Sequence, residues 1–523
     1  MTATPVATSR SLSNNHSSSP PSSLQEETAA AGDQHNTPPI LWNEDNWRTN
    51  PLINPTLNFP TLVVSARELQ LWMNHPLLQE HLAKPTNSEI LRHIHPRIKT
   101  IRNYNDTHKL LLLKPVVRTT NSNHSDAIDD DEENDQGSKE FIQELSSLVE
   151  ACNNERKNED TTDTTVSLGS PYCLKIPYTQ LSFGYILSQL LPIPPPAGYE
   201  EIGHVAHFNL KPHHLPYGKM IGQVLRETHP TIDTVVQKVG QVSGKFRTYD
   251  LEVLAGPSEY ETLLVEDGIQ IKVNVAECYW CTRLSGERQL LLQEIVDSAN
   301  GQDLVVADVF CGVGAICMML AKSLPNTTTI LANDWNEKAI GYFRESVKLN
   351  NLNETQFKFS STDAYDYLID LGTSEGTTKT TTTSVPDHVL MNYPLEAPKF
   401  LGALRWWLSE HVQSHYDATA RYPRFHIYTF ASKEQQPVGE AAATTTTTTA
   451  TMDEEEVAVN MVANELLPPM NDDNGSRRAE FNDEFDANLQ TRLVRDVAPG
   501  KVVVCVSFSL TPKLIRYMQG DYS

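Results

Sequence analysis

Residues 308–315 read Asp-Val-Phe-Cys-Gly-Val-Gly-Ala and lie between two apolar runs, 303–307 and 316–321. A strand that enters a tight glycine turn and leaves as a helix aims backbone N–H groups at a ligand and lets the main chain approach it closely. Twenty-six positions after Asp308, Asp334 ends a second apolar run, where a carboxylate can bind both hydroxyls of a ribose. The third glycine of the dinucleotide fingerprint is missing, since Cys317 stands in its place. A turn built on Gly312 and Gly314 alone suits S-adenosylmethionine, which has no pyrophosphate to cradle. By itself the turn remains open to a plainer reading, an ordinary strand-to-helix connection of any α/β protein.

The surroundings extend the pattern. Strands are expected at 304–309, 328–333, 387–391, 425–430 and 501–508, with helices at 315–323 and 336–349 and an amphipathic helix at 287–298 leading in. Alternation of this kind implies an α/β fold, a mostly parallel sheet with helices on both faces. Two polar stretches with Thr runs, 372–385 and 434–486, read as exposed loops, which cost little when they leave from a surface. Upstream, residues 1–40 are low in complexity and read as disordered. Residues 41–118 form a small accessory α/β domain, 119–168 an acidic insert with one helix at 139–151, and 169–285 a second α+β region. In that second region 202–210, 234–239 and 249–254 read as strands and 217–225 as a helix. The sheet domain then occupies 286–523.

The net charge of −24 argues against a nucleic-acid partner only until its distribution is examined. Residues 125–165 carry fourteen acids against three bases, and 434–486 thirteen against two, so each is at −11 and the rest of the chain is near neutral. The seven cysteines are scattered, mostly in apolar contexts such as Cys173, Cys311, Cys317 and Cys505, which suits a reducing compartment. Cys278 and Cys281 are the one close pair and have no matching second pair, so no metal site is expected. No apolar stretch reaches the length of a membrane span. A transit-peptide signal is faint, with Arg10 the one basic residue in the first 25.

In an open α/β sheet, ligands bind at the carboxyl ends of the strands. Four segments should meet there: the turn Asp308–Gly314, then Asp334-Trp335-Asn336, then Ser360 to Asp363-Ala364, then Asn392-Tyr393-Pro394. Asp363 can accept from an adenine amino group. Trp335 packs against that adenine or into the core, and Asn392-x-Pro394 is also ordinary turn chemistry. Ahead of the sheet, Arg247 lies in a basic turn entering a strand, and Arg283, Glu287 and Arg288 share helical spacing that would also suit a surface ion pair.

Taken together, five segments resemble the eukaryotic and archaeal tRNA (guanine-37) N1-methyltransferase family. They are Phe246 to Gly256, Tyr279 to Glu287, Asp308 to Gly314, Ala332 to Asn336, and Asn392 to Leu401, and they fall in the family's order. The resemblance covers 170–433 and 491–515, only loosely 41–118, and none of the inserts. Ala315 stands where relatives often have Pro, Cys311 replaces a common Ala, and Lys399 a frequent Glu. None of these removes a group with an implied catalytic role.

The resemblance implies a class I, Rossmann-like and unknotted methyltransferase domain, preceded by a small RNA-binding α+β domain and an N-terminal accessory domain. It implies S-adenosylmethionine as cofactor and, as partner, the anticodon stem-loop of tRNA bearing G37. The reaction is methyl transfer to N1 of that guanosine, the first step of wybutosine formation in tRNA-Phe. Glu287 would be the general base, Arg247 would hold the guanine O6, and Asn392 would orient base and cofactor. Arg288, Asp308, Gly312, Gly314, Asp334, Trp335, Asp363, Ala364 and Asn392 would contact the cofactor. Relatives act in cytoplasm, nucleus and mitochondria, away from any membrane and as monomers. The chemistry is consistent with these groups. Guanine N1 is not nucleophilic until its proton leaves, a carboxylate can take that proton, and an arginine can steady the charge that builds on O6. The base must swing out of its stack to reach such a pocket, past Lys245, Arg247, Tyr279 and Trp280, whose aromatic members suit core packing equally well. Two alternatives stay open: an aminocarboxypropyl transferase of the wybutosine pathway, and a non-catalytic tRNA-binding protein with the same fold.

Overall fold

The computed structural model describes residues 42–118, 143–154, 166–243, 248–373, 385–435, 451–467 and 477–521. The expected disordered segment 1–40, most of the acidic insert and the Thr runs lie outside them, as do Lys245 and Arg247.

The first sheet is built on β1 (Thr56–Ser65), with β2 (Ile101–Asn103), β3 (His108–Leu112) and β4 (Val116–Arg118). Its fifth strand, β5 (Ser167–Lys175), comes from beyond the acidic insert and pairs antiparallel with β1. Residues 41–118 therefore do not close a sheet of their own. Trp47, Leu57 and Phe59 share one apolar core with Ile176, Leu187, Ile221 and Val224. Polar bonds follow the same seam, with Trp47 Nε1 donating to Gln223 at 2.9 Å and Arg48 ion-paired with Glu227. Cys173, expected in an apolar setting, is exposed on β5.

A second sheet orders β6 (Glu200–Ile202), β7 (Val205–Phe208), β8 (Thr234–Ser243) and β9 (Thr248–Ala255), with helix Gly218–Thr228 packed beside it. The single strand expected at 202–210 is split by a turn. Gly203 adopts φ +56°, and a Cβ there would fall 2.0 Å from Thr262 Oγ1. A hairpin follows, β10 (Glu261–Glu266) and β11 (Ile269–Asn274). It packs on helix Glu337–Leu349, where Lys272 pairs with Glu345 at 2.8 Å.

The main sheet has seven strands in the order β14-β13-β12-β15-β16-β20-β19. These are β12 (Leu304–Asp308), β13 (Thr328–Asn333), β14 (Phe357–Ser360), β15 (His388–Met391), β16 (Arg424–Ser432), β19 (Gln490–Ala498) and β20 (Lys501–Ser509), with a short ribbon, β17 (Glu434–Gln435) and β18 (Thr451–Met452), between. Five strands are parallel; β20 runs antiparallel to β16, and β19 to β20. Alternate residues are buried on opposite faces, Ala307 and Val389 on one, Val306 and Leu390 on the other. That accounts for the nearly continuous apolar runs. The arrangement is the expected class I topology.

One expectation is overturned. The stretch 434–486 is not simply an exposed loop. Helix Glu454–Leu466 lays Val457, Ala458, Val462 and Leu466 into the core, and Phe481 and Phe485 are buried behind it. Asp453 caps this helix, accepting from Glu456 N at 2.8 Å, so the acids mark a helix start.

Candidate active site

The chain order places β13 and β14 on one side of β12, and β15 and β16 on the other. The crevice at such a reversal, outside the carboxyl ends of the strands, is where ligands bind. Register aligns the groups that meet there. Asp308 pairs with Ala332 of β13 and Leu390 of β15, so the residues just past each strand emerge side by side. A cavity of about 310 Å³ opens at this point. It is lined by Glu287, Arg288, Asp308, Gly312, Asp334, Trp335, Asp363, Ala364 and Asn392 among the expected residues.

At the cofactor end the glycine turn is held from below. Gly312 N donates to Asp334 Oδ2 at 2.8 Å, and Asn336 N to Oδ1 at 2.9 Å. Gly312 has φ +54°, and nothing lies within 4 Å of where its Cβ would be, which leaves room for a ligand over the turn. Gly314 has φ +80°, and a Cβ would strike the Phe343 ring at 2.3 Å; it therefore fixes the turn by close packing without lining the cavity. Burial raises the Asp334 pKa against those two N–H bonds. Burial likewise pushes Asp308 up to about 7, against bonds from Cys317 and Phe310 N. Asp363 accepts from Tyr365 N at 2.8 Å and so caps the helix beginning at Ala364. Trp335 is 45% exposed at the rim, which excludes core packing for it. Carboxylates at three strand ends, open space over Gly312 and an exposed indole fit an adenosyl group with its ribose.

Asn333 was missed by the sequence reading. Its amide donates to Val309 O at 3.2 Å and Thr362 O at 3.1 Å and accepts from Thr362 N at 3.0 Å. One buried side chain thus ties together the loops after β12, β13 and β14. An Asn at the last position of an apolar strand was the available signal.

At the other end stands Glu287, in the first turn of helix Ser285–Ala299 and only 8% exposed. The Arg283–Glu287 surface pair is not formed. Arg283 belongs to a 3-10 turn, Thr282–Leu284, before the helix begins. Glu287 binds Arg492 instead, with Nη2 to Oε1 at 2.6 Å and Nε to Oε2 at 3.1 Å, and Tyr428 donates to Oε1 at 2.7 Å. Burial opposes the Arg492 charge, yet the bonds to Glu287 hold its pKa above the ordinary range. Burial, reinforced by Cys505 and Glu287, raises Tyr428 well above its ordinary value and keeps it a neutral donor.

Arg288 lines the cavity, but its guanidinium is committed to Glu266 at 2.6 Å on both arms and lies 4.8 Å from the Trp280 ring centre. Tyr279 is 44% exposed and lines the cavity, which fits an entry route better than core packing, whereas Trp280 also lines the cavity but is partly buried against the core. Asn392 sits on the turn after β15, where Phe430 N donates to Pro394 O at 3.0 Å and Tyr393 stacks on Phe310 at 5.1 Å. Among the described residues no helix is long and apolar enough to cross a membrane.

Comparison with known proteins agrees with this geometry. Residues 262–429 match the model of the TRM5/TYW2 methyltransferase domain, and 187–259 that of the TYW2 N-terminal domain. The chain is 38% identical over 499 residues to tRNA (guanine(37)-N(1))-methyltransferase 2 of Phaeodactylum tricornutum, covering 88% of this chain and 76% of that one. It is 32% identical over 266 residues to tRNA (guanine(37)-N(1))-methyltransferase of Paramecium tetraurelia, covering 50% of this chain and 60% of that one. Among solved structures, Trm5b from Pyrococcus abyssi shares the fold at a TM-score of 0.50 and 18% identity, over 86% of this chain and 99% of that one.

Proposed function

The chain belongs to the tRNA (guanine(37)-N(1))-methyltransferase family, and on that premise we propose that it methylates N1 of guanosine 37 in tRNA, using S-adenosylmethionine. When bound, the cofactor supplies an activated methyl group on a sulfonium. The chain's residues do the rest. Asp334 and Asp363 hold the ribose and adenine, and the turn at Gly312 admits them. Asn392, on its stiff turn between the two ends, orients the incoming base, and Arg247 steadies its O6. Glu287 takes the N1 proton, which makes the ring nitrogen nucleophilic.

The observation that carries this reading is how Glu287 is bonded. Its Oε1 already accepts from both Arg492 and Tyr428, whereas Oε2 accepts once, from Arg492 Nε. A carboxylate oxygen has about two acceptor sites. Oε2 therefore keeps one for an N–H donor in the cavity. The two clamps fix the carboxylate's direction, which lets positioning supply much of the rate.

The test is incubation with methyl-labelled S-adenosylmethionine and a tRNA transcript carrying G37, followed by digestion to nucleosides. Label in 1-methylguanosine is expected, and none from a transcript with A37. Aminocarboxypropyl transfer would leave the nucleoside free of methyl label, and a non-catalytic binder would retain tRNA without labelling it.

A further inference from the structure

We propose that Arg495 receives a negatively charged oxygen of the substrate nucleotide inside the cavity, a role that rests on the methyl-transfer reading above. The placement begins with a fault in the edge strand. Regular alternation along β19 would turn Arg492 and Arg495 to opposite faces. The pairing is Arg492 with Cys505, Leu493 with Val504, then Arg495 with Val503, so Val494 is an extra residue in the ladder. This bulge brings Arg495 back to the face of Cys505 and Val503, which is the face of Arg492. Bulges beside active sites commonly re-aim a side chain in this way.

Two further observations give the re-aimed side chain a purpose. Arg495 lines the cavity with Glu287, Tyr428, Phe430 and Val503. Its Nε is buried with no hydrogen-bond partner among the described residues, a state that costs stability unless a ligand supplies the acceptor. Among the described residues, Arg492 is spent on Glu287 and Glu294, and Arg288 on Glu266. Among the described residues that line the cavity, Arg495 is thus the guanidinium with an uncommitted donor.

Its height in the sheet selects the ligand. β20 runs antiparallel to β16, with Lys501 opposite Ser432 and Ser509 opposite Arg424. The start of β20 therefore lies at the carboxyl ends of the parallel strands, where the cavity opens. Arg495, opposite Val503, stands two rungs nearer that opening than Arg492, opposite Cys505. It lies between the Glu287 clamp and the route by which a nucleotide enters. Two anionic oxygens of the same substrate pass there: a backbone phosphate beside the extruded nucleotide, and the purine O6 once N1 has lost its proton. A planar guanidinium suits either.

The experiment compares full-length wild type with Arg495→Ala and Arg495→Lys. It measures tRNA Kd across a salt series, the single-turnover methylation rate at saturating tRNA, and S-adenosylmethionine Kd. Arg495→Ala is expected to lower the ratio of single-turnover rate to tRNA Kd by roughly 10- to 100-fold with cofactor Kd unchanged. If the oxygen is a phosphate, the loss lies in tRNA Kd, the salt slope falls by about 0.7–0.9, and Arg495→Lys recovers most of it. If it is O6, the loss lies in the rate at saturation, and Arg495→Lys does not recover it. An Arg495→Ala protein with wild-type tRNA Kd and rate overturns the proposal. So does one whose losses track cofactor binding and thermal midpoint together, since that marks a structural role. A wild-type chain that forms no 1-methylguanosine overturns the methyl-transfer reading instead, and the Arg495 assignment is then decided on tRNA Kd alone.

Discussion

Glu287 and Arg492 form a two-point ion pair although 205 positions separate them in the chain. The carboxylate comes from the first turn of the helix that enters the sheet domain, the guanidinium from the edge strand that nearly ends it. The pair gives the Glu287 carboxylate, which lines the cavity, a fixed direction. Arg492 also reaches Glu294, two turns further along the same helix, at 3.3 Å. The edge strand is thereby fastened to the helix that carries Glu287.

Removing Arg492 should cost more than a surface ion pair would. Glu287 is buried, so Arg492→Ala leaves its charge with Tyr428 as the remaining described donor. A hydrogen bond to a charged group is worth about 1.5–3 kcal/mol. Urea unfolding of Arg492→Ala should show a loss of that size. The double variant with Glu287→Gln should lose less than the sum of the two single changes, because the charge left unpaired is gone. Additive losses would mean that the pair is energetically idle.

Asp308 should make stability depend on pH. Burial lifts it from its ordinary 3.8 to about 7, so between those values the folded chain keeps a proton that the unfolded chain has lost. Stability from this group is therefore complete below pH 4, declines as pH rises, and levels off above about 7. Wild type should fall relative to Asp308→Asn by up to about 4 kcal/mol across that window. Urea midpoints of both proteins at half-unit pH steps check this, and parallel curves would contradict it.

Gly314 should tolerate no side chain. Gly314→Ala meets both a φ of +80° and the Phe343 ring at 2.3 Å. Strain of this kind costs about 1–3 kcal/mol. The thermal midpoint and cofactor affinity should both drop. Adding Phe343→Leu should restore part of the midpoint by opening space, while the backbone strain stays.

Much of the sheet was legible because it is buried on both faces, and such strands announce themselves as apolar runs such as Leu304–Ala307 and His388–Met391. Asp308, Gly312, Asp334 and Asp363 were legible because each follows such a run. The clamp on Glu287 was not. Neither Arg492 nor Tyr428 lies near it in sequence, and the bulges in β19 destroy the alternation that would have marked a strand. The helix Glu454–Leu466 was hidden by its own acids. Asp453 with Glu456 three residues later, ahead of Val457, Ala458 and Val462, is a helix-start signature that outweighs the local charge. The first sheet was misjudged for a different reason. No local pattern reveals that β5 returns across the acidic insert to pair with β1.

Single-turnover methylation by Glu287→Gln, measured beside its S-adenosylmethionine affinity, tests the central claim most directly. The substitution keeps the shape of the side chain and removes the proton acceptor. The rate should fall by roughly 10²–10⁴ while cofactor Kd stays near wild type, and Asp334→Ala should do the reverse, losing affinity first. A Glu287→Gln enzyme that methylates at close to the wild-type rate, or one whose loss lies in cofactor binding, would contradict the assignment of Glu287 as the base.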